Sequence, residues 1–308
     1  MKNLKPIALA LCLILLAPLF AFAESAPAIA VTDMAGRAVA LDKPASRVVA
    51  LTASDCEIVY ALGAGDALVG RGEYCDYPAE VLAVPSVESG YETNIEQIIA
   101  LEPQVVLMNT MAQTQEHAAA LEAAGIAAVV SNASDIAGVY ESIKLIGALL
   151  GKAEEADAIV ESMREGFAEI ASNVPPDAAG KSVYFEVSPL EHDLWTAGAG
   201  TFMDELASLV GLTNAFADVQ GWAEISEEQV IARDPDIIIT VSMYYGEGPT
   251  PVEEIMSRAG WQNLKALVNG DILNADSNEI SRPAPRLLDA ARTLYEFVYA
   301  DQAEEPAA

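Results

Sequence analysis

Basic residues are scarce in this chain: 16 Lys and Arg stand against 46 Asp and Glu in 308 residues, a formal net charge of −30. Affinity for a nucleic-acid backbone needs clustered cations that release counterions, so that class of partner is excluded, and an anionic membrane surface would repel the chain. Histidine is rarer still, with only His117 and His192, too few for a histidine cage around a transition metal, and no cysteine cluster compensates. The carboxylates are abundant, yet no D-x-D-x-D-G calcium loop occurs among them. Gly63-Ala-Gly65 and Gly198-Ala-Gly200 lack the full G-x-G-x-x-G spacing of a dinucleotide loop. Gly180-Lys181-Ser182 resembles the end of a phosphate loop, but Pro175 stands where its first glycine belongs. There is no G-x-S-x-G nucleophile elbow either.

What is present is globular: 52% hydrophobic and 20% charged residues, enough for a large core and for two domains. Met1 to Ala23 carries Lys2 and Lys5, an apolar run from Ile7 to Phe22, and Ala21-Phe22-Ala23 before Glu24. It reads as a secretory signal peptide cleaved after Ala23. The run is short for a spanning helix, which wants about 20 residues. Cys12 follows Leu11, where a lipoprotein box wants a small residue, so lipid anchoring is not expected. An exported, periplasmic chain results. Two cysteines remain in it, Cys56 and Cys75, in a compartment that permits disulfides. Spacing leaves open whether they form a bridge or stay as two buried thiols.

Apolar β-branched runs alternate with helical patterns, the signature of a parallel α/β sheet. Val48–Thr52, Val105–Asn109 and Ala127–Ser131 are strands of a first half, and Val183–Ser188, Ile237–Ser242 and Ile272–Ala275 of a second. Between them the pattern predicts helices over Ser134–Leu150 and Lys152–Ser172, broken at Gly151. The second places Ala156, Ile159, Val160, Met163, Phe167 and Ile170 at helical spacing. It is long enough, at roughly 1.5 Å per residue, to join two lobes.

The strongest internal signal is a repeat at an offset of 132 residues. Asn94-Ile-Glu-Gln-Ile-Ile-Ala-Leu-Glu-Pro-Gln-Val-Val-Leu107 aligns without gaps on Ser226-Glu-Glu-Gln-Val-Ile-Ala-Arg-Asp-Pro-Asp-Ile-Ile-Ile239. Each copy has a capping residue, a short helix, a proline stop and a buried strand, with Gln97 and Gln229 spaced for a capping box. The fold class expected is therefore α/β, with two lobes and a cleft between them. The expected boundaries are a signal peptide over 1–23, a first lobe over 24–150, the helix over 151–174 and a second lobe over 175–308.

Arg47-Val-Val-Ala-Leu-Thr-Ala-Ser-Asp-Cys-Glu-Ile-Val-Tyr-Ala-Leu-Gly63, Val69-Gly70-Arg71 and Tyr74-Cys-Asp-Tyr-Pro78 precede the first repeat. Thr196-Ala-Gly, Gly221-Trp222 and Arg282-Pro-Ala-Pro-Arg286 belong to the second half. In this order and spacing, from about Val31 to Tyr299, the chain resembles the periplasmic substrate-binding proteins of ferric-siderophore, haem and cobalamin uptake transporters. The resemblance implies an α/β fold of two doubly wound, Rossmann-like lobes joined by a single long interlobe helix, Lys152–Ser172, with the ligand cleft between them, and a monomeric receptor without catalytic activity or cofactor. Its ligand would be an iron-siderophore, a corrinoid or haem, delivered to the permease dimer of an ABC importer.

Glu96 and Glu228 occupy equivalent places in the first turns of the repeated helices. Elementary physics explains an acid there as a complement to the helix dipole. The resemblance gives these two positions a second role, docking to an arginine on each permease subunit, and a two-fold partner needs one such contact per lobe.

A large chelate offers flat faces and a polar rim, so aromatic side chains are candidate contacts. Tyr74 and Trp222 match positions where cobalamin-binding members of the family place aromatics, and Tyr91 leads into the first repeat. Trp195, Tyr244 and Tyr245 sit at or beyond strand ends of the second half. Arg71 and Arg282 are candidate cations for an anionic chelate, whereas Arg286 is read as a structural pairing residue. The shortage of cations favours a corrinoid or a neutral chelate. Haem would use Tyr91, with His192 from the other lobe, as axial ligands. The competing reading is an exported hydrolase using Asp55 with Glu57, or Glu186 with Glu191.

Overall fold

The computed structural model describes residues 28–90, 92–176, 180–244, 246 and 248–299. The signal segment, Tyr91 and Tyr245 lie outside the described residues. An antiparallel hairpin of β1 (Ile29–Thr32) and β2 (Ala38–Leu41) comes first. The first lobe then alternates β3 (Val48–Ala50), α1 (Ala53–Ala61), β4 (Leu68–Gly72), β5 (Ser86–Val87), α2 (Ile95–Ala100), β6 (Val105–Met108), α3 (Gln115–Ala123) and β7 (Ala127–Val130). Its five strands run parallel in the order β5-β4-β3-β6-β7. The β-branched runs of β3 and β6 are buried along their whole length, as strands covered on both faces should be.

Two helices follow, α4 (Ile136–Leu150) and α5 (Ala153–Asn173). Asp135 caps the first by accepting from the Gly138 backbone N–H at 2.7 Å. Gly151 ends it with φ of 68°, a left-handed conformation that glycine adopts without a Cβ penalty. The stripe predicted for α5 is the buried one: Ala156, Val160, Met163, Phe167 and Ile170 are in the core, with Ile159 half-buried against it. Burying each large member of that stripe contributes about 1.5–3 kcal/mol.

The second lobe comprises β8 (Ser182–Ser188), β9 (Leu194–Ala197), α6 (Phe202–Leu209), β10 (Thr213–Asn214), β11 (Trp222–Ile225), α7 (Glu227–Arg233), β12 (Ile237–Thr240), α8 (Pro251–Ser257), α9 (Lys265–Asn269), β13 (Ile272–Asn274), α10 (Ser277–Ile280) and α11 (Leu287–Tyr299). Its sheet has the order β11-β9-β8-β12-β13, with β10 beside β8. This sheet is mixed, because β9 runs against β8 and β11. Helix α5 packs against α4 on one side and against α6 and α11 on the other, so one element is cored into both halves.

The repeat is reproduced in three dimensions down to its backbone. Asn94 and Ser226 cap α2 and α7 through their side chains. Glu102 and Asp234, 132 residues apart, both adopt positive φ, 48° and 46°, just before the prolines. One detail differs from the sequence pattern. The full capping box forms only at Ser226, where Gln229 reaches back to the cap's N–H at 2.9 Å. In the first copy the Asn94 N–H already donates to the Glu88 carbonyl, and Gln97 instead accepts from the Glu88 N–H at 3.2 Å.

Candidate functional site

Both sheets end their parallel strands in loops that carry the candidate residues, which is where open α/β sheets bind ligands. One hollow, of about 230 Å³, is lined from both lobes. The first lobe contributes Ser54, Asn109, Met111 and Ser131, and the second contributes Phe202, Trp222 and Arg282. Trp222 leans on Phe202 with ring centroids 5.3 Å apart. Its strand is held by a close backbone approach: the Gly198 N–H donates to the Gly221 carbonyl at 2.8 Å, and any Cβ on Gly198 would strike the Val219 carbonyl oxygen. That contact is the physical content of the Thr196-Ala-Gly and Gly221-Trp222 motifs. A second hollow, of about 670 Å³, lies at the ends of β8 and β12, lined by Glu191, His192, Met243, Tyr244 and Glu254 among others.

The aromatic candidates that can be located stand where a ligand could reach them. Tyr74 is 72% exposed on the loop after β4, and Trp195, Trp222 and Tyr244 are partly exposed. Trp195 and Trp222 are diagonal neighbours on one face of the β9–β11 pair, given the pairing of Trp222 with Ala197 and of Glu224 with Trp195. The Tyr244 hydroxyl donates to the Gly248 carbonyl at 3.3 Å.

The cations divide differently from the sequence expectation. Arg71 is not free to meet a ligand: its guanidinium donates to the carbonyls of Val84 at 3.2 Å and of Gly72 and Cys75 at 3.1 Å each, fixing the loop that presents Tyr74. Arg282 lines the shared hollow and pairs across the lobes with Asp76 at 2.6 Å. Arg286 pairs with the buried Glu57 at 2.8 Å and lies 3.7 Å over the Tyr77 ring. Asp76 and Tyr77, missed from sequence, therefore join two first-lobe partners to the Arg282–Arg286 segment. The lobes also meet where the Ile136 N–H donates to Glu205 at 2.6 Å and the Phe202 N–H to the Ser134 carbonyl at 2.8 Å.

Cys56 and Cys75 are free, buried thiols, not a bridge. Both donate weakly to the Ala50 carbonyl oxygen, at 3.7 and 3.9 Å. The Cys75 contact, burial and the nearby Asp55 push the Cys56 thiol well above the usual thiol range, which leaves it protonated and a poor nucleophile.

The carboxylate pairs proposed for a hydrolase do not assemble. Asp55 and Glu57 are two apart on α1 and so leave on different sides of it. Glu57 is held by Arg286. Asp55 accepts from the Thr52 hydroxyl at 2.7 Å, and its Oδ1 has no hydrogen-bond partner among the described residues. Burial pushes its carboxyl up to about 6, against the opposing pull of the Thr52 and Ser131 hydroxyls. Glu186 is buried under two hydrogen bonds from Arg258, at 2.6 and 2.9 Å, with Arg258 also paired to Glu254 at 2.6 Å. Glu191 is exposed and lies 3.5 Å from the equally exposed His192. Tyr91, the other half of the axial haem pair, is outside the described residues. No group of three or more His, Cys, Asp or Glu suited to a metal ion occurs among the described residues. No described helix is long and apolar enough to cross a membrane.

Glu96 and Glu228 are both exposed. The Glu228 carboxyl is held below its ordinary value by its own backbone N–H and the Ser226 hydroxyl. Glu96 borders an open hollow with Glu88, Glu92 and His117.

Two doubly wound lobes, a helix packed into both and a hollow lined from each define a two-lobed binding protein. The chain belongs to the family described as periplasmic binding protein, which it matches over residues 48–279. It is 33% identical over 283 residues to the uncharacterized ABC transporter substrate-binding lipoprotein YvrC of Bacillus subtilis, covering 90% of this chain and 87% of that one. A cobalamin-binding protein of Halobacterium salinarum is 31% identical over 265 residues, covering 83% and 70%. Among solved structures, a possible iron-binding (periplasmic solute-binding) protein from Staphylococcus epidermidis superposes with a TM-score of 0.72 at 30% identity, covering 83% of this chain and 100% of that one.

Proposed function

We propose that this chain is an extracytoplasmic receptor that captures a metal chelate, a ferric siderophore or a corrinoid, between its lobes and hands it to the permease dimer of an ABC importer, with no covalent chemistry. The observation that carries this reading is the shared hollow, with the thioether of Met111 from the first lobe, the rings of Phe202 and Trp222 from the second, and Arg282 as its cation. A lining of mixed polar and apolar groups drawn from both lobes suits a ligand with flat faces and a polar rim. A single arginine suits one bearing little net charge. Supporting names come from the relatives: one is named a cobalamin-binding protein and one solved structure a possible iron-binding protein. We take Tyr74, Trp195, Trp222, Tyr244 and Arg282 as the ligand contacts, and Glu96 and Glu228 as the docking contacts. The lobes are taken as 24–150 and 175–308, with the joining helix over 151–174.

The working form is a monomer in the periplasm, released after Ala23. The Bacillus relative is named a lipoprotein, so the mass of the mature chain decides this point: an unmodified N-terminus at Glu24 supports release, and a lipidated Cys12 contradicts it. Because α5 is cored into both lobes, ligand should move them little. A large compaction in solution scattering on adding ligand would count against that.

The test of the function is the absorption spectrum of the protein purified from its native host, since corrinoid, ferric hydroxamate or catecholate, and haem bands differ. A corrinoid or ferric-siderophore band that travels with the protein is the expected result. A colourless protein that also fails to acquire such a band when these compounds are supplied would overturn it.

A further inference from the structure

The repeat duplicates more than the two docking glutamates. Ile99 and Ile231 stand 132 residues apart, each the fifth residue of its helix, and each is a large aliphatic side chain left exposed, 37% and 40%. Each lies three residues after a docking glutamate, so Glu96 with Ile99 and Glu228 with Ile231 share one helix face. Glu92 and Glu224 keep the same offset, two residues before the caps, and both are exposed. None of these four carboxylates forms an ion pair among the described residues. Each lobe thus presents one unpaired acid and one aliphatic knob on a short helix, with a second unpaired acid just before its cap, and the helix leads to an inner strand, β6 in one sheet and β12 in the other.

Neither isoleucine is explained by folding. The buried positions of these helices are Ile98 and Val230, and a β-branched residue on a solvent face lowers helix propensity. A matched pair of apolar knobs, each one helical turn from an unpaired acid, fits a two-fold partner that offers a cation beside an apolar socket at each of two equivalent places.

We infer that Ile99 and Ile231 are anchor residues of the docking surface, inserting into matched apolar sockets of the permease dimer next to the arginines that receive Glu96 and Glu228. The inference rests on the receptor reading above. Its division of labour is physical: the acids act through a field that salt screens, whereas the isoleucines act by excluding water, which salt does not weaken. The acids set orientation and encounter, and the knobs set residence.

The test measures saturable binding of the labelled mature chain to right-side-out membrane vesicles from its native host, with protein-free liposomes of the same lipids as the blank. The variants are Ile99→Ala, Ile231→Ala, their double, the double Glu96→Gln with Glu228→Gln, and Val268→Ala, which truncates an exposed apolar side chain elsewhere on the second lobe. Melting temperatures matched to the wild type confirm that each variant is folded. Each isoleucine truncation is expected to weaken binding about tenfold, which is about 1.4 kcal/mol, with the loss persisting at high salt. The glutamate double variant should lose affinity mainly at low salt, and Val268→Ala should bind as the wild type does. If the isoleucine double variant binds like the wild type while the glutamate double variant is weakened, the anchors are refuted and docking stands. If the wild type itself shows no saturable binding, or the isoleucine and glutamate double variants both match it, the docking reading fails as well.

Discussion

The two copies of the repeated block are alike over their helices and unlike just past their strands. Caps, acids, aliphatic knobs, left-handed residues and prolines coincide through Leu107 and Ile239. Beyond them, Asn109-Thr-Met-Ala-Gln113 closes on itself in the first lobe: Asn109 accepts from the Met111 N–H at 3.0 Å, and Gln113 donates to the Ser89 carbonyl at 2.7 Å. The second lobe has Val241-Ser-Met-Tyr-Tyr245 there, and Tyr244 is turned to solvent. A surface that meets a two-fold partner gains from being identical in both lobes, whereas a surface that grips an asymmetric chelate gains from being different. On the proposed reading, the contrast separates docking from ligand capture along one stretch of chain.

The largest effect of a single substitution is expected in the second lobe. Arg258 is buried between Glu186 and Glu254 and lies 4.6 Å over Trp261; its alanine variant leaves Glu186 buried and unpaired, a loss of about 3–5 kcal/mol. All three tryptophans, Trp195, Trp222 and Trp261, are in the second lobe, so their fluorescence should report an early transition while part of the far-UV signal persists. An unshifted, coincident transition in both signals would show that the triad does not hold that lobe.

The next effect is in the first lobe. Asp55 has a folded carboxyl pKa of about 6 against an ordinary value of 3.8, so the folded state binds its proton more tightly than the unfolded one does. The stability this provides is fully present below about pH 3.8 and is lost as pH rises to about 6, on the order of 3 kcal/mol across that window. Asp55→Asn should therefore be more stable than the wild type at pH 7.5, and its stability should lack this fall between pH 4 and 6. Urea titrations at a series of pH values check both. A wild type and variant with parallel pH profiles would contradict the raised carboxyl.

Smaller effects test the cleft. Trp222→Ala should weaken chelate binding roughly 30-fold, the loss expected of a central aromatic anchor, whereas Tyr74→Ala, on a more exposed loop, should cost under about tenfold. Calorimetric titration ranks the two, and a reversed order would move the site toward the first lobe. The smallest is Asp76→Asn: its carboxylate is half-exposed, so loss of the pair to Arg282 should cost under about 1 kcal/mol of stability, while freeing the guanidinium for an anionic ligand.

How far the sequence discloses this molecule follows from which interactions are local. The buried strands β3, β6, β7 and β12 and both central helices are legible because their apolar period, and for α4 the Gly151 stop, lie within each segment. Strand β4 is not, since Gly70, Arg71 and Gly72 give it little strand propensity and its place comes from pairing with β3 and β5. The antiparallel β9 with β11 was likewise missed, because their pairing depends on the Gly198–Gly221 approach. The aromatics Tyr74, Trp195, Trp222 and Tyr244 could be singled out in advance as candidates, and all four are at least partly exposed. The arginines could not be sorted, because Arg71 answers to carbonyls of its own loop and Arg286 to a glutamate 229 residues away. Met111 and Phe202 had no signal beyond apolarity, although Met111 and Met243 keep the 132-residue offset.

The most direct test of the receptor account is a titration of the purified chain with cyanocobalamin, ferrioxamine B and haemin, followed through tryptophan fluorescence, with the ligand recovered afterwards by mass. The account predicts that the corrinoid or the ferric hydroxamate binds at one molecule per chain, quenches Trp222, and is released chemically unchanged. Binding of none of the three, or recovery of an altered compound, would contradict it.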